Sequence, residues 1–258
     1  MGKLPFSNSR TRLQWAEGSV AEFQRCAALY WKRTPRELLV EPDPDGIHER
    51  HKFKLHKPLP IALTKFTVHA IEDLRAALDL TACDVARFIR SADCPVDDVY
   101  FPFYKSANDL KSRMNSVCKG FPPSITKLFA DFEPYRGGSD LLFAIKELSN
   151  ASKHDLIVPV ASVICANLPY LETSSRITLP IRIPNNSYDS DKNEITFAIT
   201  ERGLRWKYQA DLSFAICFGK VGAIEGYDVG TNLEGMIRAV EMIINETETE
   251  LRKLGFIL

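Results

Sequence analysis

Three groups of side chains in this sequence have types and spacings suited to chemistry. Arg75 and Asp79 stand four apart in a helical stretch and are therefore neighbours on one side of it. The helical wheel places them at the margin of an apolar stripe, away from the solvated arc of Lys65, His69, Asp73 and Arg87. Ala82 and Ala86 continue their line, so another backbone can approach there. A half-buried Arg–Asp pair can anchor a substrate or clamp its helix to a loop. Further along, Lys146, Asn150 and His154 share one helical stripe, with Lys153 beside them. A histidine at a helix C-terminus has its cation favoured by the macrodipole, and can hold a phosphate or exchange a proton. The plainer role for His154 and Lys153 is to satisfy the last carbonyls. The third group is a basic strand face of His48, Arg50, Lys52, Lys54 and His56, followed by Lys57. Such a ribbon can track a phosphate backbone, or be a solvated edge strand whose lysines discourage pairing. Arg136-Gly137-Gly138, just before a helix, is a further possible anion contact.

The elements that position these groups follow from apolar periodicity. Residues 10–33 carry Leu13, Ala16, Val20, Phe23, Ala27 and Tyr30 at steps of 3, 4, 3, 4, 3, and Thr34-Pro35 ends the helix. Residues 36–41 and 47–56 flank the turn Pro42-Asp43-Pro44-Asp45-Gly46 and read as a hairpin. A long central helix over 61–91 has a stripe of Leu63, Phe66, Ala70, Leu74, Ala77, Thr81, Val85 and Phe88. Widened by Ile71, Leu78 and Ile89, it covers an arc of roughly 140°, the width of a core-facing face. An aromatic segment, residues 99–104, precedes helices near 105–118, 122–131 and 140–153, the last with Ser139 and Asp140 at its start. Residues 157–166, 177–183, 195–200, 204–208 and 212–218 alternate or run apolar, as an antiparallel meander does. The final helix, 231–254, repeats the seam with Leu233, Ile237, Val240, Ile244, Thr247, Leu251 and Leu254. Seams of mean period 3.5 on both terminal helices suit packing on each other or across a homodimer. The reading is one α+β domain over 1–258: a helical bundle with long terminal and central helices packed on an antiparallel β-meander.

Composition narrows the function classes. In 258 residues, 33 Lys+Arg balance 33 Asp+Glu, and apolar residues make up 45%. Mean hydropathy is −0.15. This excludes a disordered regulator, a collagen-like rod and a highly basic nucleic-acid coat protein. No apolar run approaches the roughly 18–20 residues that span a bilayer, and the first dozen residues lack a signal-peptide core, so a cytoplasmic location is expected. The six cysteines are scattered without C-x-x-C spacing and read as reduced, mostly buried hydrophobes. His48 and His51 would face opposite sides of a strand, and no third ligand lies near, so no metal site is expected. Phosphate-loop, dinucleotide, serine-hydrolase and zinc-protease motifs do not occur, and no cofactor is implied.

Asp73-Leu74-Arg75-Ala76-Ala77-Leu78-Asp79, Phe101-Pro102, Pro134-Tyr135 and Leu148-Ser149-Asn150-Ala151-Ser152-Lys153-His154 together resemble a widespread family of uncharacterised bacterial proteins. Its members show N-L-R-S-x-L-D-H, then F-P, then a Q-P-Y-like element, then L-x-x-L-x-N-x-D-K-H-R. The likeness covers roughly residues 60–165, with Asp73, Leu80 and Asp155 departing from the pattern. It implies little about activity, because the family's role is not established. Residues 149–154 are also similar to the R-N-x-x-x-H motif of HEPN domains, helical bundles that include metal-independent ribonucleases of toxin and phage-defence systems. Ser149 stands at the arginine position, and Arg75 is the candidate to replace it. That resemblance implies RNA cleavage in a dimer, with His154, Arg75 and Lys153 catalytic, Asp79 orienting Arg75, and the basic strand guiding the RNA.

Three functional readings follow. The Arg75, Asp79, Lys146, Asn150, Lys153 and His154 cluster binds a small anionic ligand or a partner segment, with Arg50, Lys52, Lys54 and Arg136 as further binding residues. Alternatively, the chain is the HEPN-like ribonuclease or RNA-binding protein just described. In the third reading, the cluster is a structural network fixing helix to sheet.

Overall fold

Most positions of both 3.5-period seams are buried inside the chain, and Leu254 at the far end of the second is exposed. The computed structural model describes residues 5–90, 95–153, 157, 159–165, 188–203, 212–219 and 224–257. Helix α1 (Ser7–Arg33) buries Leu13, Ala16, Val20, Phe23 and Tyr30. The last helix, α6 (Val229–Lys253), buries Leu233, Val240, Ile244, Thr247 and Leu251, and adds Met236 and Ile243. Each packs on the central helix α2 (Ile61–Arg90) and on the other. The seams therefore build a three-helix bundle within one chain. Of the two alternatives left open for these seams, packing within the chain is the one found, and a homodimer through them has no support.

The α2 stripe is the centre of the bundle. Leu74 and Leu78 are wholly buried, and burial of each such side chain contributes roughly 1.5–3 kcal/mol. Phe6 enters the core beside Phe88, with ring centroids 6.1 Å apart, and accepts a left-handed backbone (φ 56°) to do so. Asp228 caps α6 by accepting from the Thr231 amide at 2.7 Å. The shorter helices α3 (Ala107–Val117), α4 (Pro123–Asp131) and α5 (Asp140–Ala151) complete the helical part. Ser106 caps α3, accepting from Asp109 N. Ser139 stands at the N-cap of α5, but its side chain makes no capping bond.

The strands are β1 (Arg36–Pro42), β2 (His48–Leu55), β3 (Pro159–Cys165), β4 (Tyr188–Asp189), β5 (Glu194–Glu201) and β6 (Leu212–Phe218). All described pairings are antiparallel, in one sheet of order β1-β2-β5-β4 and a second of order β3-β6. The α+β class is thus found, with the N-terminal hairpin joined to β5 in one sheet. The expected strands at 177–183 and 204–208 lie outside the described residues. Phe53 stacks on Phe197 at 4.9 Å and meets Phe214 of β6 edge-on at 5.2 Å, tying the two sheets together. Leu55, Ile195 and Ala161 close over Tyr30 of α1 beneath them.

One expectation is corrected here. The basic strand β2 is not an edge, because β5 pairs along its other side from His48↔Glu201 to Lys54↔Glu194. The exposed edge belongs to β1, which carries Glu37, Glu41 and Pro42, residue types that discourage further pairing.

Candidate functional site

Glu72, Arg75 and Asp79 are spaced 3 and 4 apart, and so form one line on α2. Asp79 works in two directions. One carboxylate oxygen accepts from Arg75 Nε at 3.0 Å, and the other accepts from the Phe101 backbone N–H at 2.9 Å. The second bond fixes the aromatic segment 99–104 to the central helix. Burial pushes the Asp79 carboxyl above its usual range, while the charges of Arg75 and Lys153 and the Phe101 amide pull it back.

Arg75 is held on two sides. Its Nε is engaged by Asp79, and its guanidinium carbon lies 4.5 Å from the Phe103 ring centroid, a cation–π contact. Its side chain keeps 21% exposure, and the two Nη groups have no hydrogen-bond partner among the described residues. Arg75 is thus a positioned, partly exposed guanidinium, a group whose fork suits a carboxylate or phosphate.

Helix α5 brings the second set. Its end is tied to α2 by Glu72, which accepts from Ser149 Oγ at 3.4 Å and from Ser152 Oγ. Lys146, one turn earlier, is half-buried with Nζ 5.1 Å from the Phe143 ring centroid. Burial lowers its pKa; the charges of Arg75 and Lys105 lower it further, against opposite pulls from Glu147 and Asp109. Arg75 and Lys105 are thus among the charges felt by Lys146. Lys153 follows the helix, exposed, with Asn150 exposed on the last turn.

The structure therefore brings together Arg75, Asp79, Lys146 and Lys153. His154 lies outside the described residues. Arg136 is elsewhere engaged: its guanidinium stands 3.6 Å from Glu147 and 5.7 Å from the Phe143 ring centroid. The Gly138 and Ser139 amides behind it bond to Tyr135 O and Glu133 O, so this loop presents neither amide to an anion. A Cβ at Gly138 would come within 2.6 Å of Glu133 O, which explains the glycine.

The basic strand face is largely neutralised. Arg50 pairs with Asp43, and Lys52 is buried between Glu41 at 2.6 Å and Glu194 at 3.0 Å. Burial opposes the Lys52 charge, but the two carboxylates hold its pKa above the usual value. Lys54 is half-buried, and no ion pair involves it among the described residues. His48 pairs with Asp45 at 2.5 Å, whereas His51 is buried against Thr200 Oγ1 at 2.8 Å. Among the described residues, no three His, Cys, Asp or Glu side chains are grouped to hold a metal ion, and no helix is long and apolar enough to cross a membrane.

Sequence reasoning misses Glu72, Lys105, Phe103 and the Phe101 amide. Glu72 has a usable signal, since its spacing extends the Arg75–Asp79 line by one turn. Lys105 and the two phenylalanines lie in a loop without periodicity, and a backbone amide has no signature in residue type. The chain matches no protein-family model, and no curated protein or solved structure is similar to it.

Proposed function

We propose that this protein binds a small anionic ligand, of phosphate or carboxylate type, at the cationic surface formed by Arg75, Lys105, Lys146 and Lys153. The observation that carries the reading is Arg75: Asp79 and Phe103 orient it, and neither Nη group has a hydrogen-bond partner among the described residues. A purely structural ion pair has no need of a guanidinium whose terminal donors are unpaired among the described residues. Lys146 supports the reading, because a half-buried ammonium without an ion pair among the described residues gains from an incoming anion. Asp79 is the positioning residue for Arg75 and also the clamp on the 99–104 loop. An RNA phosphate would draw on the same cluster, but Arg50 and Lys52 of the basic strand are matched by carboxylates, which favours a compact ligand over a long polyanion. Thermal unfolding in graded inorganic phosphate, pyrophosphate and short oligoribonucleotide tests this. A bound anion at about 100 times its Kd stabilises by about 2.7 kcal/mol. A midpoint that rises with pyrophosphate supports the reading; an unchanged midpoint with every anion rejects it, and a rise with the oligoribonucleotide alone transfers the site to RNA.

A further inference from the structure

We propose that Met114 and Cys118 bind one soft monovalent metal ion, Cu(I), through thioether and thiolate sulfur at the wall of a cavity between α3 and α4. The site uses none of the residues of the anion-binding surface. Its two ligands stand four apart and so share one face at the end of α3. The Cys118 thiol donates to Met114 Sδ at 3.6 Å, and both side chains are buried. Tyr104, also buried, donates its hydroxyl to the same sulfur at 3.1 Å. The thioether is therefore held in place before any ion arrives.

Partner and access set Cys118 apart. Cys83, also buried, donates instead to the Val96 and Val99 carbonyls, at 3.9 and 3.4 Å, and oxygen is a poor donor to a soft ion. Met114 and Cys118 line a cavity of about 370 Å³ together with Gly120, Phe121, Thr126 and Lys127. The Lys127 side chain is 74% exposed, so the cavity opens to solvent and gives an ion a way in. A Met–Cys contact made only for packing has no need of that opening.

The donor set selects the ion. Thioether and thiolate sulfur favour Cu(I), whereas Zn(II) takes thiolates, imidazoles and carboxylates, and no three such side chains are grouped among the described residues. An ion about 2.3 Å from each sulfur, the usual metal–thiolate distance, closes an angle of roughly 100° across the 3.6 Å gap. That suits a three-coordinate ion whose third ligand is a small donor such as chloride. Binding is a ligand exchange with no change of oxidation state. The Cys118 S–H bond breaks, its proton goes to solvent, the sulfur lone pair bonds to copper, and Met114 Sδ gives the ion the lone pair that had accepted the thiol hydrogen. Burial pushes the Cys118 thiol up to about 11, so the metal must displace a proton, and affinity rises about tenfold per pH unit.

Anaerobic titration of the reduced full chain with Cu(I), in competition with the coloured chelator bicinchoninate, tests the site. The parent should withhold one Cu(I) per chain, about tenfold more tightly for each unit of pH between 6.5 and 8.5. Cys118→Ser should lose this ion, and the volume-conserving Met114→Leu should hold it about tenfold or more weakly. Cys26→Ser, which removes a partly exposed thiol elsewhere, should bind as the parent does. No ion withheld by the parent, or parent-like affinity in either Cys118→Ser or Met114→Leu, overturns the proposal. Should Cys118→Ser fail to fold, Met114→Leu and X-ray absorption at the copper edge of the loaded parent decide. Sulfur neighbours at about 2.3 Å, with weaker binding in Met114→Leu, support the site; a shell of nitrogen and oxygen alone overturns it.

Discussion

Replacing Asp79 with alanine removes two acceptors at once, and the structure says what each loss costs. The Phe101 amide, 2.9 Å from the carboxylate, belongs to a residue that is 2% exposed. Without Asp79 it becomes an orphaned donor, at about 1–3 kcal/mol. The Arg75 contact is worth less, because both side chains are about one-fifth exposed; a partly screened pair of this kind contributes about 1 kcal/mol. Against these losses, Asp79 no longer has to hold a charge that burial disfavours. The balance is a destabilisation of about 2–3 kcal/mol, or roughly 4–12 °C in Tm for a chain of this size. Asp79→Asn keeps an oxygen for the Phe101 amide and should cost about half as much. Arg75→Gln loses only the exposed pair and the ring contact, and should cost about 1–1.5 kcal/mol. The assay is urea unfolding followed by circular dichroism, with unchanged m-values as the control. The order Asp79→Ala, then Asp79→Asn or Arg75→Gln, separates a clamp from a donor held for a ligand. If Asp79→Ala lies within about 0.5 kcal/mol of the parent, in the range of an ordinary surface change, the clamp is refuted. If Arg75→Gln is the more damaging change, Arg75 is scaffolding.

Two further outcomes concern the sheet. Burial lowers the pKa of His51 below its ordinary value of 6.5, so the unfolded chain takes up the proton first as pH falls. Stability should therefore decline below about pH 6.5, by at most ~1.4 kcal/mol per unit of difference between the two states. Unfolding midpoints from pH 7.5 to 5 should show that slope in the parent and a flatter one in His51→Gln; equal slopes would remove His51 as the cause. Lys52→Met strands the Glu194 carboxylate, whose side chain is 9% exposed, and should cost about 3–5 kcal/mol, most of it recovered in Lys52→Met/Glu194→Leu. A double-mutant cycle with no coupling would contradict the buried pairing.

The helices were legible because their signal is local and repeated. Leu13 to Tyr30 and Leu233 to Leu251 carry their period over many turns, and burial follows it closely. Which helix those seams meet depends on distant residues, so the choice between a bundle and a dimer was not legible. The β2–β5 pairing was hidden for a similar reason. The carboxylate that neutralises Lys52 is Glu194, 142 residues away, and the register shifts between His51 and Lys52, which no alternation pattern announces. At the site, the Arg75–Asp79 pair and the Lys146 stripe could be read from helical spacing alone. Their meeting could not, because it depends on Ser149 and Ser152 of α5 reaching Glu72 and on the loop amide of Phe101.

The central claim is that Arg75 and Lys146 present cationic donors to an anion. Isothermal titration calorimetry with inorganic pyrophosphate, on the parent chain, Arg75→Gln and Lys146→Gln, tests it most directly. The account predicts saturable one-to-one binding by the parent, weakened about tenfold or more (~1.4 kcal/mol) by either substitution in a folded variant, and weakened further as salt screens the partly exposed charges. Absence of binding by the parent, or equal affinity in all three folded proteins, would contradict it.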